Sequence, residues 1–264
     1  MIALLCGQGA LPGAISVALD EPPLVCALEG FEPDDLAVDL SFRLETMGSL
    51  ISELKQRGID EVCLAGSIRR PQIDQSKIDE ATLPSIPVFQ KAMMAGDDGA
   101  LRAVIGVLEH AGLTVRAAHE IAPALLPKPG CATTVHPSAA DLEDAVRAAG
   151  IMEALAPVDV GQACVVYQRQ ALAIETVYGT DWMLQSLTQR PDAGGGVLFK
   201  APKPGQDWRV DLPTIGIGTV TAAVAAGLSG IVIEAAGVIV LDQPRVIAEC
   251  DRLGLFLMVR ERSS

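Results

Sequence analysis

The chain has 264 residues, of which half are hydrophobic and only 3% aromatic, and its formal charge is −13. A chain of this size can bury one large core or two modest ones, and an interior of Ala, Val, Leu and Ile favours α/β layers. The negative charge argues against a general nucleic-acid-binding protein, so an anionic ligand would need a local cluster of cations or a metal ion.

Short apolar runs alternate with helical patterns over residues 1 to about 125. The runs predict strands at 2–6, 23–28, 61–65 and 114–117, and the periodicity predicts helices at 12–19, 45–57 and 98–112. Such alternation indicates a parallel sheet flanked by helices, with ligands bound near the carboxyl ends of the strands.

The first strand runs into a glycine turn, GQGALPG, at residues 7–13. A strand, a glycine turn and a helix start direct backbone N–H groups toward an anion. Gly7 and Gly9 match the first two glycines of the dinucleotide-binding pattern, but Pro12 stands where the third is expected. Glu29, about twenty residues past Gly9, lies where a ribose-binding acid would be. The turn therefore either binds a phosphate-containing ligand or only gives the backbone its path.

Other polar groups of the first half are compatible both with ligand contacts and with solvated surface. Arg69 and Arg70 follow the strand at 61–65, at the edge where such sheets bind ligands. The acids in GDDGA, at 96–100, favour helix capping over a ligand contact. The three histidines have no metal-binding spacing.

A proline-rich stretch at 121–138 predicts a linker, so we expect a first domain at 1–130, a linker at 131–137 and a second domain at 138–264. The second domain opens with an amphipathic helix capped by Ser138. A hairpin of ACVVY and ALAIETV, a helix in DWMLQSLTQ, the strand GVLFK, a helix at 218–227 and apolar strands within 230–241 follow.

The loop region at 194–220 combines cations and carboxylates between proline breaks and glycines. Phosphoryl chemistry needs cations for the phosphate oxygens, and carboxylates to hold Mg²⁺ or orient water. A solvated loop with surface ion pairs is the alternative. The polar residues concerned are Lys200, Lys203, Gln206, Asp207, Arg209, Asp211 and Thr214.

Two further sites carry acids. In the turn at 179–181, Thr180 or Asp181 is expected to cap a helix whether or not it has a catalytic role. Glu234 lies inside the apolar run GIVIEAAGVIV, where a carboxylate is costly unless a cation, a metal or backbone donors accompany it. We therefore expect a partner for Glu234.

Six cysteines are scattered without a CxxC pair, which favours buried reduced thiols in a cytoplasmic protein over disulfides or a zinc site. The opening residues break into a glycine turn after six positions, which is unlike a signal peptide. The longest apolar run, at 227–241, is interrupted by Glu234 and is short for a membrane span.

With these residues in view, the sequence resembles the metal-dependent UDP-2,3-diacylglucosamine pyrophosphatases of lipid A biosynthesis, of the type without a metallophosphatase signature. The resemblance spans nearly the whole chain. It rests on the segments GQGALPG, GIDEVCLAGSIRRP, GDDGAL, DVGQACVV, GTD, KPGQD, DLPTIG and AGLSGIVIEA.

The resemblance implies an N-terminal Rossmann-like domain, a C-terminal α/β domain and a lipid-linked UDP-sugar substrate. The family's reaction uses Mg²⁺ and water to give UMP and 2,3-diacylglucosamine 1-phosphate, an acylated sugar phosphate. On this interpretation the opening turn holds part of a nucleotide sugar. A homodimer and a peripheral contact with the inner membrane surface are compatible with the sequence.

We assign site roles on this basis. The predicted catalytic residues are Asp181, Lys203, Asp207, Asp211 and Glu234, with Asp207, Asp211 and Glu234 as metal ligands. The predicted substrate-binding residues are Gly7, Gly9, Arg69, Thr180, Lys200, Gln206, Arg209 and Thr214.

The sequence departs from the family pattern at Tyr178, Ile217, Ala236 and Ala225, where a polar residue, a proline, a glycine and an acid are expected. An acid at position 225 would share a metal or a water with Glu234, so Ala225 is expected to limit turnover. Two alternatives stay open: an NAD-dependent oxidoreductase that uses the opening turn and Glu29, and a non-catalytic protein that binds nucleotide sugars or lipids.

Overall fold

The computed structural model describes the backbone of residues 1–68, 73–93 and 96–262 and, outside 90–98, their side chains. The chain forms two compact units. The first comprises Met1–Pro123 and Asp207–Asp211, and the second comprises Ala124–Gln206 and Leu212–Ser264. The segment Asp207–Asp211 therefore belongs to the first unit although it lies within the second half of the chain.

The first unit contains a five-stranded parallel sheet. Its strands are β1 (Ile2–Cys6), β2 (Leu24–Leu28), β3 (Leu40–Phe42), β4 (Glu61–Ala65) and β5 (Thr114–Val115), and its helices are α1 (Leu11–Val17), α2 (Met47–Gln56), α3 (Ile86–Met93), α4 (Gly96–His110) and α5 (Ala118–Ile121). The strand order is β3-β2-β1-β4-β5. Every residue of the central strand β1 is buried, as an apolar run in a parallel sheet predicts.

The second unit contains a six-stranded mixed sheet and a separate two-stranded one. The strands are β6 (Gly130–Cys131), β7 (Ala163–Tyr167), β8 (Gln170–Ile174), β9 (Val197–Lys200), β10 (Thr214–Ile215), β11 (Gly230–Glu234), β12 (Ile239–Val240) and β13 (Phe256–Arg260), and the helices are α6 (Ala139–Leu155), α7 (Gly179–Ser186), α8 (Ile217–Ala225) and α9 (Gln243–Leu253). The larger sheet has the order β6-β13-β11-β9-β7-β8, and β10 pairs with β12. Because β9, β11 and β13 are parallel, their carboxyl ends at Lys200, Glu234 and Arg260 lie at one edge.

Alternate side chains of the larger sheet pack into cores on its two faces. Leu198 and Ile231 point to the face covered by α7, α8 and α9. Phe199 and Val232 point to the other face, where α6 packs. This period-2 alternation fixes which side chains at the carboxyl edge share a face.

The α/β class predicted from the alternating pattern is confirmed. Ser138 also caps α6 as predicted, since its hydroxyl accepts a hydrogen bond from the backbone N–H of Asp141 at 3.2 Å. The sequence analysis missed β3, β6, β10, β13, α3, α5 and α9. Cys131, the first residue of the predicted linker, pairs with Met258 at the edge of the sheet.

All six cysteines are free thiols, and burial raises the pKa of Cys6, Cys26, Cys63 and Cys164 to about 12. The prediction of buried reduced thiols is therefore confirmed for the five cysteines that are buried, while Cys131 is half-buried. Among the residues that the structure describes, no helix combines the length and the apolar character needed to cross a bilayer.

Candidate active site

Lys200, the last residue of β9, is buried at the carboxyl edge of the larger sheet. Its side chain is only 8% exposed, which is rare for a lysine and requires hydrogen-bonding partners. The ammonium donates to Thr180 Oγ1 at 2.8 Å and to the carbonyl oxygen of Thr214 at 3.1 Å. The structure therefore brings together three of the predicted substrate-binding residues.

Neither Thr180 nor Asp181 caps α7, so that prediction is wrong. Tyr178 occupies the N-cap position, and no side chain caps the helix there. Thr180 is instead buried, and its hydroxyl donates to Glu175 Oε2 at 2.8 Å. Asp181 is exposed in the first turn, where the positive end of the helix dipole favours a negative charge.

The loop after β9 is closed by two hydrogen bonds between Lys203 and Gln206. The backbone N–H of Lys203 donates to Gln206 Oε1 at 3.0 Å, and the backbone N–H of Gln206 donates to the carbonyl oxygen of Lys203 at 3.3 Å. The Lys203 ammonium forms an ion pair with Asp159. This contact fixes the amine in a defined position within the second unit.

Asp207, Arg209 and Asp211 lie in the segment that belongs to the first unit. Arg209 donates to both carboxylate oxygens of Asp207, at 2.9 and 2.7 Å, and to Glu109 Oε1 at 2.5 Å. The hydrogen bonds from Arg209 hold the pKa of Asp207 below its ordinary value. The backbone N–H of Asp211 donates to the carbonyl oxygen of Asp207 at 3.2 Å, which gives the segment a helical turn.

Glu234 ends β11, and the partner that the sequence requires is Arg262, whose Nε lies 3.6 Å from Glu234 Oε2. The Glu234 side chain is 13% exposed. Burial raises the pKa of Glu234 above its ordinary value, against the opposing charges of Arg262 and Arg260. The carboxylate is therefore partly desolvated, and its proton affinity is increased.

The predicted metal ligands are divided between the units, with Asp207 and Asp211 in the first and Glu234 in the second. Within the described ranges, no three His, Cys, Asp or Glu side chains are grouped so that they could hold a metal ion. Both carboxylate oxygens of Asp207 already accept hydrogen bonds from Arg209.

The opening turn is explained in part by backbone packing. A Cβ on Gly7 would lie 2.6 Å from the carbonyl oxygen of Ser67, and Gln8 and Ser67 exchange backbone hydrogen bonds at 2.9 and 2.8 Å. Gly9 differs, because no atom lies within 4 Å of the position of a Cβ and its N–H donates to Asp34 Oδ1 at 3.2 Å. Glycine is therefore required at Gly7 because a Cβ there would clash with the Ser67 carbonyl. At Gly9 it is favoured because the backbone has a φ of +95°.

Glu29 and Arg69 are two other residues of the first unit with a predicted ligand contact. Glu29, the expected ribose-binding acid, pairs with Arg43 Nη1 at 3.0 Å. Arg69 lies outside the described residues, so its role stays a prediction.

Comparison with known proteins decides the family. The model of the LpxI N-terminal domain matches residues 1–125, and the model of the LpxI C-terminal domain matches residues 128–258. The chain belongs to the LpxI family. It is 35% identical over 271 aligned residues to the UDP-2,3-diacylglucosamine pyrophosphatase LpxI of Caulobacter vibrioides, with 97% of this chain and 96% of the relative covered.

The position of Ala225 in this LpxI-family chain contradicts the expectation that an acid there would share a ligand with Glu234. Ala225 is the exposed last residue of α8, and a short turn leads from it to Gly230, the first residue of β11. Glu234 is the last residue of that strand, about 13 Å further along. The two positions therefore lie near opposite ends of β11.

The departure at Ala236 has a backbone consequence. Its φ is +57°, in the left-handed region that favours glycine, which is the residue the family pattern places there. Ile217 is the first residue of α8, a position that also suits the proline expected from the LpxI pattern.

Sequence reasoning missed several partners of the predicted site residues. Asp159, Glu109 and Arg262 hold Lys203, Arg209 and Glu234, and no motif distinguishes them. For Glu175 the sequence contains one indication of a functional role, because this residue directly follows a strand and precedes the segment GTD.

Proposed function

We propose that this chain hydrolyses the diphosphate of UDP-2,3-diacylglucosamine to UMP and 2,3-diacylglucosamine 1-phosphate. The observation that carries the proposal is its full-length similarity to the Caulobacter relative, whose name states that activity. The order β3-β2-β1-β4-β5 in the first unit supports a Rossmann-like, nucleotide-binding role for that sheet.

Cations held by named partners support diphosphate binding in this proposal. Lys200 and Lys203 present ammonium groups in the second unit, and Arg209 presents a guanidinium in the first. Fixed cations stabilise the charge that develops on phosphate oxygens without reorganising during the reaction. The acids that flank them orient these cations, and we propose Glu234 and Asp181 as the acids that position the attacking water.

We include Mg²⁺ dependence in the proposal. Mg²⁺ in phosphate sites is commonly held by one or two carboxylates together with waters and the substrate's own phosphates. The partly buried carboxylate of Glu234 fits an ion that arrives with the diphosphate, whereas Asp207 is less suited because Arg209 occupies both of its oxygens. When bound, Mg²⁺ would neutralise charge on the phosphate oxygens.

We also propose that the protein works at the cytoplasmic surface of the inner membrane. A diacylated substrate places two acyl chains in a lipid surface, and Val177, Tyr178 and Trp182 offer exposed apolar groups at the start of α7. The Tyr178 and Trp182 rings contact each other, with centroids 5.2 Å apart. Tyr and Trp favour the membrane interface because their rings have both apolar and polar parts.

The decisive experiment incubates the full chain with UDP-2,3-diacylglucosamine, with Mg²⁺ or with EDTA, and detects UMP and the acylated sugar phosphate by mass spectrometry. Mg²⁺-dependent formation of both products is expected. A thermal-shift series with UDP, UMP, NAD and NADP separates the alternatives, because a ligand that binds the folded state raises the melting temperature. Stabilisation by NAD would favour the oxidoreductase, and stabilisation by UDP without any UMP release would favour a binding protein.

A further inference from the structure

Glu175, to which the proposed function gives no role, directly follows β8 and lies in line with Ala163 of β7 and Lys200 of β9. Ala163 in β7 pairs with Lys200 in β9, and the backbone N–H of Glu175 donates to the carbonyl oxygen of Ala163 at 2.8 Å. Glu175, Ala163 and Lys200 therefore form one row at the same end of the sheet. The small side chain of Ala163, which is fully buried, leaves space between the carboxylate and the ammonium.

Thr180 spans that space. Its Oγ1 lies 2.8 Å from Lys200 Nζ and 2.8 Å from Glu175 Oε2. A hydroxyl has one proton, and an ammonium can only donate, so the proton of Thr180 is directed to Glu175 and its oxygen accepts from Lys200. The carboxylate thereby fixes the direction in which Thr180 can accept.

The backbone carbonyl group of Glu175 packs closely against Gly161. Gly161 has a φ of +49°, and a Cβ there would lie 2.2 Å from the carbonyl oxygen of Glu175. The other end of the row is also defined, because Lys200 donates to the carbonyl oxygen of Thr214. The relay from Glu175 through Thr180 to Lys200 is therefore anchored at both ends.

We propose that Glu175 is a positioning residue, which orients the Lys200 ammonium toward the substrate diphosphate by fixing the hydroxyl of Thr180. This inference rests on the proposed function, in which Lys200 binds the diphosphate. Glu175 acts through Thr180 and does not contact the substrate. A group held in one orientation before the substrate binds loses less conformational entropy on binding, so a Lys200 ammonium without this restraint lowers kcat/KM.

A double-mutant cycle tests the relay in the full chain. Glu175→Ala should lower kcat/KM for UMP release by about 10- to 100-fold. In a Thr180→Val background, the same Glu175→Ala change should cost less than about twofold, because its route to Lys200 is already removed. Equal losses in the two backgrounds, or no loss in the single variant, would overturn the proposal.

Conservative variants separate positioning from folding. Glu175→Gln keeps an acceptor oxygen and Thr180→Ser keeps the hydroxyl, so each should retain activity within about threefold of the unaltered chain. If Glu175→Gln falls as far as Glu175→Ala, the role through the hydroxyl is wrong. Glu249→Ala, which removes a half-buried carboxylate paired with the exposed Arg252, is the control and should leave the rate unchanged.

A second measurement does not depend on hydrolysis. The 13Cε resonance of Lys200, assigned with Lys200→Arg in the lysine-labelled chain, should move in Glu175→Ala and in Thr180→Val. It should have the same position in the double variant as in Thr180→Val. If the unaltered chain releases no UMP, the proposed function fails while this measurement still tests the relay, and an unmoved resonance in Glu175→Ala would refute it.

Discussion

The carboxylate of Glu45 accepts a hydrogen bond from Arg43 Nη2 at 3.1 Å and one from the backbone N–H of Asp74 at 2.7 Å. Glu45 is only 3% exposed. Burial favours its protonated form, but the hydrogen bonds from Asp74 and Arg43 outweigh burial, so the pKa of Glu45 lies below its ordinary value. Glu45 therefore links the stability of the first unit to pH.

Glu45→Gln should lower the free energy of unfolding by about 1–3 kcal/mol at pH 7. The folded-state pKa is depressed, so the stabilisation is present above the unfolded pKa and is lost as the pH falls through the folded pKa. The difference between the variant and the unaltered chain should thus shrink below about pH 4. Urea unfolding at pH 7 and below about pH 4 measures this difference in the free energy of unfolding. Glu53→Gln, at an exposed ion pair, is the control. A difference that stays constant with pH would exclude this role.

Asp207→Ala should lower UMP release by about a hundredfold or more. Asp207 holds the guanidinium of Arg209 through two hydrogen bonds, and without it Arg209 is left with Glu109. Lys203→Ala should have an effect of similar size because it removes an ammonium group of the proposed diphosphate site. Steady-state UMP assays check both, with Glu53→Ala as a control that removes an exposed carboxylate from another arginine. Normal turnover in both variants would place the site elsewhere.

Ala225→Asp should leave the rate of UMP release within about twofold of the unaltered chain. The position is exposed at the last turn of α8, far from Glu234, and a negative charge at a helix C-terminus costs about 0.3–1 kcal/mol. Ala225→Lys, with the opposite charge, should stabilise by a similar amount. Single-turnover assays across a Mg²⁺ titration and thermal unfolding check these expectations. A faster Mg²⁺-dependent rate in Ala225→Asp would show that an acid there reaches the reaction.

Ala236→Gly should stabilise the chain by about 0.5–1 kcal/mol, because glycine adopts the φ of +57° without the cost that a Cβ brings. The expected rise in melting temperature is about 1–4 °C. Ala235→Gly, at a neighbouring position without a positive φ, should instead destabilise. A lower melting temperature for Ala236→Gly would mean that the methyl group of Ala236 contributes more by packing than it costs in backbone strain.

Trp182→Ser should weaken binding of the protein to phospholipid vesicles at least about threefold, because it removes the larger of two exposed rings that contact each other. Co-sedimentation with vesicles that contain the diacylated substrate measures this. The matched variant Val158→Ser removes another exposed apolar group of the second unit and should bind like the unaltered chain. Equal binding of both variants would exclude the aromatic pair as the contact.

Local features of the sequence predicted much of the architecture. The apolar run at 2–6, the capping residue Ser138 and the need of Glu234 for a cation each depend on neighbours in sequence or on the cost of burial alone. The relay at Lys200 could not be predicted in the same way. Its three members come from separate elements, and strand spacing does not show which hydroxyl faces which amine. For Thr180, local reasoning was misleading, because its hydroxyl hydrogen-bonds to Glu175 and Lys200 instead of capping α7.

The placement of Asp207–Asp211 in the first unit has a consequence for synthesis on the ribosome. Val210 packs against the hydrophobic core of that unit, so the core is incomplete when residue 123 emerges. At about 5–20 residues per second, residues 124–206 delay its completion by roughly ten seconds. During this interval the nascent first unit exposes the apolar surface that Val210 later covers, and apolar surface exposed during folding favours aggregation.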